Sequence, residues 1–201
     1  MDLGPLTAPL SGLENPAFAS NRIFRDVLEA LSRPGTVVPA PENLETPGKL
    51  NRAATGFLLA LADMETPVWL SPDIRDIQTE KHLKFHTGCP VTDQCEQAVF
   101  AVADARTSDF DFLNSLAVGN PEMPHQSATL LIMIDGFTSP TALTLTGPGI
   151  QSKAVLAPDP IPDALIQWAQ ANQRLFPCGV DLIFAATSSL AALPRTTRIE
   201  V

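Results

Sequence analysis

The 201-residue chain holds only three cysteines, few basic residues and no long apolar run. Cys89, Cys95 and Cys178, with no Asn-x-Ser/Thr acceptor anywhere, exclude a disulfide-stapled secreted scaffold and leave reduced thiols. Apolar runs such as Phe57 to Ala62 and Leu130 to Ile134 fall far short of the roughly 18 residues of a membrane span. Thirteen bases against 22 acids give a net charge of −9, which argues against general nucleic-acid binding, since that relies on clustered Lys and Arg. The start, Met1-Asp2-Leu3-Gly4-Pro5, lacks the basic and apolar regions of a signal peptide, so a cytoplasmic location is expected. Several motifs are also missing. There is no Gly-x-x-x-x-Gly-Lys-Ser/Thr phosphate loop and no Gly-x-Ser-x-Gly nucleophile elbow.

What is present reads as a folded α/β chain. Apolar residues make up 45% and charged residues 17%, too hydrophobic for intrinsic disorder. Residues 1–15 have no period and are expected to form an irregular arm, in which Leu3, Leu6, Leu10 and Leu13 are candidate docking points. Residues 16–201 are expected to form a single domain. Asn15-Pro16 offers a helix N-cap followed by proline at the first helical position. Phe24, Val27, Leu28 and Leu31 then follow a helical period, and Pro34-Gly35 ends it. Leu50, Ala53, Ala54, Phe57, Leu58 and Leu61 form the clearest apolar stripe. A further helix is expected to open at Ser71-Pro72-Asp73 and run to Lys84, another to cover Pro160 to Gln173, and a weak one Phe110 to Leu116.

Strands are expected at 36–38, 66–70, 98–102, 129–134, 142–145 and 180–185, with 197–201 at an edge. The runs at 129–134 and 180–185 have almost no polar face, as strands covered on both sides do. Alternation of such strands with helices predicts a three-layer α/β/α sandwich around a mixed sheet.

Few residues carry obvious chemistry. His82 and His86, one helical turn apart with Cys89 beyond, have metal-ligand spacing, or are two ordinary helix-end histidines. Leu83 and Lys84 stand where a zinc protease needs its glutamate, and no metal site is expected. Gly147-Pro148-Gly149 follows a strand, which suits a tight turn or a nucleotide cradle. Arg195-Thr196-Thr197-Arg198 places two guanidinium groups and two hydroxyls together and, with Gly147 and Gly149, is a candidate anion-binding set. Asp181 enters an apolar strand and is expected to be a buried structural carboxylate paired with one of these arginines. No set of nucleophile, base and orienting acid emerges, so no catalytic residue is expected.

A series of short stretches runs in order along the chain. They include Phe24-Arg25, Ser32-Arg33-Pro34-Gly35, Thr66-Pro67-Val68-Trp69-Leu70, Leu83-Lys84-Phe85-His86-Thr87, Leu145-Thr146-Gly147-Pro148-Gly149-Ile150, Gly179-Val180-Asp181-Leu182-Ile183 and Pro194-Arg195-Thr196-Thr197. This series resembles the PhnH family, subunits of the carbon–phosphorus lyase core complex of phosphonate degradation. The resemblance implies a fold similar to a reduced large domain of the fold-type-I pyridoxal-phosphate transferases, assembled as a homodimer. It also implies the partners PhnG, PhnI and PhnJ, in machinery that transfers a phosphonate to the ribose of ATP, releases adenine and forms a ribose 1-phosphonate 5-triphosphate. The role implied for the chain is accessory rather than independently catalytic; the alternative is a small stand-alone transferase or nucleotide-binding module acting on a phosphate or phosphonate ester. No cofactor is expected. Only Lys49, Lys81, Lys84 and Lys153 are available for a pyridoxal imine, and the three cysteines lack iron–sulfur spacing.

Overall fold

The computed structural model describes residues 10–201; Leu3 and Leu6 lie outside them. Five parallel strands form the centre: β2 (Val68–Leu70), β3 (Val91–Thr92), β4 (Phe100–Asp104), β5 (Thr129–Met133) and β8 (Asp181–Ala185). Antiparallel β9 (Ser189–Leu193) and β1 (Val37–Pro39) extend the sheet beyond β8, giving the order β1-β9-β8-β5-β4-β2-β3. The fold is therefore mixed α/β with one large mixed sheet.

Alternation along each central strand builds two cores, one on each face. Leu130, Ile132, Leu182 and Phe184 point to one side, while Leu131, Met133, Ile183 and Ala185 point to the other. All eight are at most 2% exposed, and burying a side chain of the larger kind contributes about 1.5–3 kcal/mol. Over the second face lie α1 (Pro16–Ser32), α2 (Arg52–Leu61) and α3 (Ile77–Thr87). The first face is covered by α4 (Asp163–Asn172) together with a small antiparallel sheet of β6 (Leu143–Thr146), β7 (Ala154–Leu156) and β10 (Arg198–Glu200). That outer layer is thus part helix and part sheet, where helices alone were expected. The strand expected at an edge within 197–201 is β10, an edge strand of this small sheet paired with β6.

Local corrections follow from packing. Asn15 adopts φ +48° and its side chain makes no capping bond. The buried face of α1 is Ile23, Val27 and Ala30, leaving Phe24 and Leu28 nearly half exposed. Ile23, Val27 and Ala30 follow the same helical period one position back from Phe24, Leu28 and Leu31, so burying that stripe leaves Phe24 and Leu28 facing outward. α3 opens at Ile77, not at Ser71, because the Asp76 carboxylate accepts from the Gln78 and Thr79 amides and fixes the first turn there. The weak helix at 110–116 is a 3-10 turn over Asp111–Ser115. By contrast, Asn51 caps α2 by accepting from the Ala54 amide, at the start of the stripe legible in the sequence.

Candidate functional site

Chain direction marks one place on the sheet. From β2 the chain passes through α3, on one face, to β3. From β4 it passes over the opposite face, where Leu113 and Leu116 are buried, to β5. β2 and β4 are neighbours, so the connections diverge between them. A crevice outside the carboxyl ends of such strands is where open α/β sheets bind ligands.

Polar residues from separate loops meet there. After β2 come Ser71 and Asp73; at the end of β4 come Asp104, Arg106, Thr107 and Ser108; after β5 comes Asp135. Asp73 accepts from the Ser108 hydroxyl at 3.0 Å and from the Thr107 hydroxyl. The Ser71 and Ser108 hydroxyls are 3.1 Å apart. Burial works against ionisation of Asp73, but donation from Thr107, Ser71 and Ser108 outweighs it and holds the carboxyl below its usual range. Asp104, 5% exposed, takes a two-pronged pair from Arg106: Nε to Oδ1 at 2.9 Å and Nη2 to Oδ2 at 2.6 Å. Arg106 Nη1 donates to Asp135 at 2.9 Å. These bonds, led by those to Asp104, push the guanidinium pKa further up, so it stays charged.

Lys49 links this cluster to the start of α2, its ammonium donating to the Asp73 carbonyl. Beside it opens a crevice of about 490 Å³ lined by Glu45, Thr46, Lys49, Asn51, Arg52 and Thr187. Asn51 is anchored at the sheet end by its amide, which donates to the Ala185 carbonyl at 2.6 Å. Arg52 Nη1 donates to the Glu42 carbonyl at 2.6 Å. The arrangement offers an ionised carboxylate and hydroxyls that accept from sugar-type hydroxyl groups, and cations at its rim for phosphoryl oxygens.

The residues singled out in the sequence lie at the other end of the strands. Asp181 begins β8, opposite Thr129 of β5. Its carboxylate accepts from the Arg195 amide at 2.8 Å, from Nε at 3.1 Å and from Nη2 at 2.7 Å. The remaining Arg195 donors go to the Pro124 carbonyl at 2.9 Å and the Ser127 hydroxyl at 2.7 Å. The guanidinium is directed into the protein. Arg198 is exposed on β10, and Thr196 is half-buried. Thr197 is buried with no partner for its hydroxyl. Gly147 and Gly149 have φ of +135° and +82°. A Cβ on Gly147 would lie 3.0 Å from the Thr196 carbonyl oxygen, and one on Gly149 only 2.1 Å from that of Ser32, so both turns serve close backbone approach. Arg195, Thr196 and Gly147 are therefore near one another, while Gly149 meets the end of α1.

His82 and His86 lie with ring centroids 4.4 Å apart and their planes tilted by 57°. His82 is not a surface histidine: it is 2% exposed with both ring nitrogens unpartnered. Burial first, then the neighbouring His86, lowers its pKa to about 4. His86 meets the Leu10 carbonyl at 2.9 Å, and Ser11 donates to Glu45 at 2.8 Å, so residues 10–12 are tied to the body. Cys89 is buried, which raises its thiol pKa. Among the described residues no three of His, Cys, Asp and Glu are arranged to hold a metal ion, and no helix is long and apolar enough to cross a membrane. Of the lysines, Lys49 alone lies at the crevice; Lys81, Lys84 and Lys153 are exposed on α3 and before β7.

The switch-point network and the crevice beside it were missed in the sequence because their members come from five separate segments. The usable signal was acids and hydroxyls immediately following successive apolar strands.

Fold and side-chain network define a class: an open, mostly parallel α/β protein with a polar network at its topological switch point and a crevice beside it. Residues 11–200 match the family of the bacterial phosphonate metabolism protein PhnH, and the chain belongs to that family. It is 34% identical over 188 residues, 92% of each chain, to the alpha-D-ribose 1-methylphosphonate 5-triphosphate synthase subunit PhnH of Rhizobium meliloti (strain 1021). It is 31% identical over 183 residues, 89% of this chain and 84% of the other, to HtxG of Stutzerimonas stutzeri, described as a candidate C-P lyase subunit.

Proposed function

We propose that the chain is an accessory subunit in organic phosphonate catabolism. It supports transfer of a phosphonate to the ribose of ATP with release of adenine, inside a complex with PhnG, PhnI and PhnJ, and it associates as a homodimer in the cytoplasm. The observation that carries this reading is similarity along nearly the whole length to a synthase subunit that bears this activity in its name. The crevice beside the switch-point network is consistent with it, since the Lys49 ammonium in its lining keeps donors for phosphoryl oxygens beyond the one given to the Asp73 carbonyl. The same crevice, at the carboxyl ends of parallel strands, supports likeness to the large domain of fold-type-I pyridoxal-phosphate transferases. Anion recognition by the terminal turn rests on Arg198, because Arg195 is committed to internal acceptors.

Co-expression tests the proposal. The tagged chain is expected to retain PhnG, PhnI and PhnJ from the same cell extract through gel filtration. Failure to retain any of the three would refute the subunit role, and turnover of ATP with methylphosphonate by the isolated chain would refute the accessory one.

A further inference from the structure

A second cavity, about 410 Å³, lies between the first half of α1 and residues Pro39–Leu44 at the edge of the sheet. Its apolar floor includes Leu13, Ile23 and Leu44. Phe18 stands at its mouth, 83% exposed although aromatic. On its wall is Asp26, whose single ion-pair partner, Arg22, is 4.0 Å away, at the limit of pairing, with its own side chain 78% exposed. Burial pushes the Asp26 carboxyl pKa up, against the pull of Arg22, so this carboxylate is partly desolvated and under-compensated. Glu14 and Glu42 add two more acids to the lining, leaving Arg22 as the lone base among four charges. Asn15, at the same mouth, leaves its amide unused for capping the helix it precedes.

An aromatic face, an apolar floor, an under-paired carboxylate and an acidic rim match one chemical group in particular. A guanidinium tolerates desolvation better than an ammonium and meets a carboxylate with two parallel bonds, and the apolar chain around it packs on an aromatic side chain. A bare metal ion has no use for the apolar floor. A free anion is repelled.

The geometry points to this groove as the docking slot for an arginine-bearing, otherwise apolar segment of another subunit, with the guanidinium paired to Asp26 and the apolar part of the segment lying against Phe18, two helical turns away. The inference rests on the subunit reading above and adds the surface and the chemistry of the partner. The new arginine displaces Arg22, which swings into solvent, and pairs with Asp26 in its place.

The full chain, tagged and co-expressed with PhnG, PhnI and PhnJ, provides the test, with melting temperature recorded for every variant. Asp26→Lys is expected to lower the retained partner by at least about tenfold, as removal of a desolvated pair does. Phe18→Ala, at a residue too exposed to matter for folding, is expected to lower it with no change in melting temperature. A matched reversal at the opposite end of the strands, Glu122→Lys, is expected to leave retention unchanged. Wild-type-like retention by folded Asp26→Lys and Phe18→Ala would overturn the slot while sparing the subunit role. Absence of retention by the wild type would overturn both, so the two failures are distinguishable.

Discussion

Replacing Asp181 with asparagine isolates the ion pair at the amino end of β8. The amide is isosteric and keeps one oxygen, which still accepts from the Arg195 backbone or Nε. Its nitrogen, however, faces Arg195 Nη2, so a 2.7 Å charge-assisted bond becomes a contact between two donors. The guanidinium cannot escape easily, since its other donors are held by Pro124 and Ser127. The two side chains are 15% and 24% exposed. Breaking a fully buried pair costs about 3–5 kcal/mol and an exposed one at most about 1, so roughly 2 kcal/mol is expected here. For a chain of this size that lowers the melting temperature by about 4–8 °C. Differential scanning calorimetry measures the shift, and a double-mutant cycle with Arg195→Met is expected to give coupling of about 1–2 kcal/mol. Unchanged melting in Asp181→Asn, or coupling near zero, would refute the pairing as a stabilising element. So would a variant that melts normally but loses affinity for ATP.

Gly149→Ala is expected to destabilise by at least about 3 kcal/mol, combining left-handed backbone strain with a Cβ 2.1 Å from the Ser32 carbonyl oxygen. Urea titration checks this against Gly136→Ala, where the added methyl meets nothing within 4 Å and stability is expected to hold within about 0.5 kcal/mol. His82 gives a pH dependence whose sign follows from its lowered pKa. The unfolded chain takes up this proton near pH 6.5 and the folded chain only near about 4, so stability is full above the first value and is lost as pH falls towards the second. After allowance for solvent screening the loss is about 1–2 kcal/mol. His82→Leu is expected to flatten stability over that window in denaturant titrations at several pH values, and an unaltered acid slope would contradict it.

Much of the sheet was legible because burial on both faces leaves no polar alternation to misread. Beyond their first residues Thr129–Met133 and Asp181–Ala185 are continuous apolar runs, and both are central strands. β9, Ser-Leu-Ala-Ala-Leu, was missed because alanine has weak strand preference; its place comes from hairpin pairing with β8. The facing of α1 was read one residue off. Period alone favours the larger Phe24 and Leu28, whereas close packing selects Ala30. The pairing of Asp181 with an arginine could be anticipated from the cost of a lone buried charge. The crevice could not be assembled in the same way. Its lining joins residues 44–52 to Thr187, and only the docking of the start of α2 on the ends of β5 and β8, through Asn51, brings them together.

The contact between Gly149 and Ser32 has a mechanical meaning. Gly35 lies in the same region, where an added Cβ would come within 2.8 Å of that of Ala154. Helix α1 and the small sheet cover opposite sides of the central strands, yet they touch here, backbone against backbone. A stack joined only through its middle layer lets the outer leaves slide past each other. Here they are pinned like covers at a book's spine, so any force applied to α1 is transmitted directly to the far leaf, bypassing the strands between them.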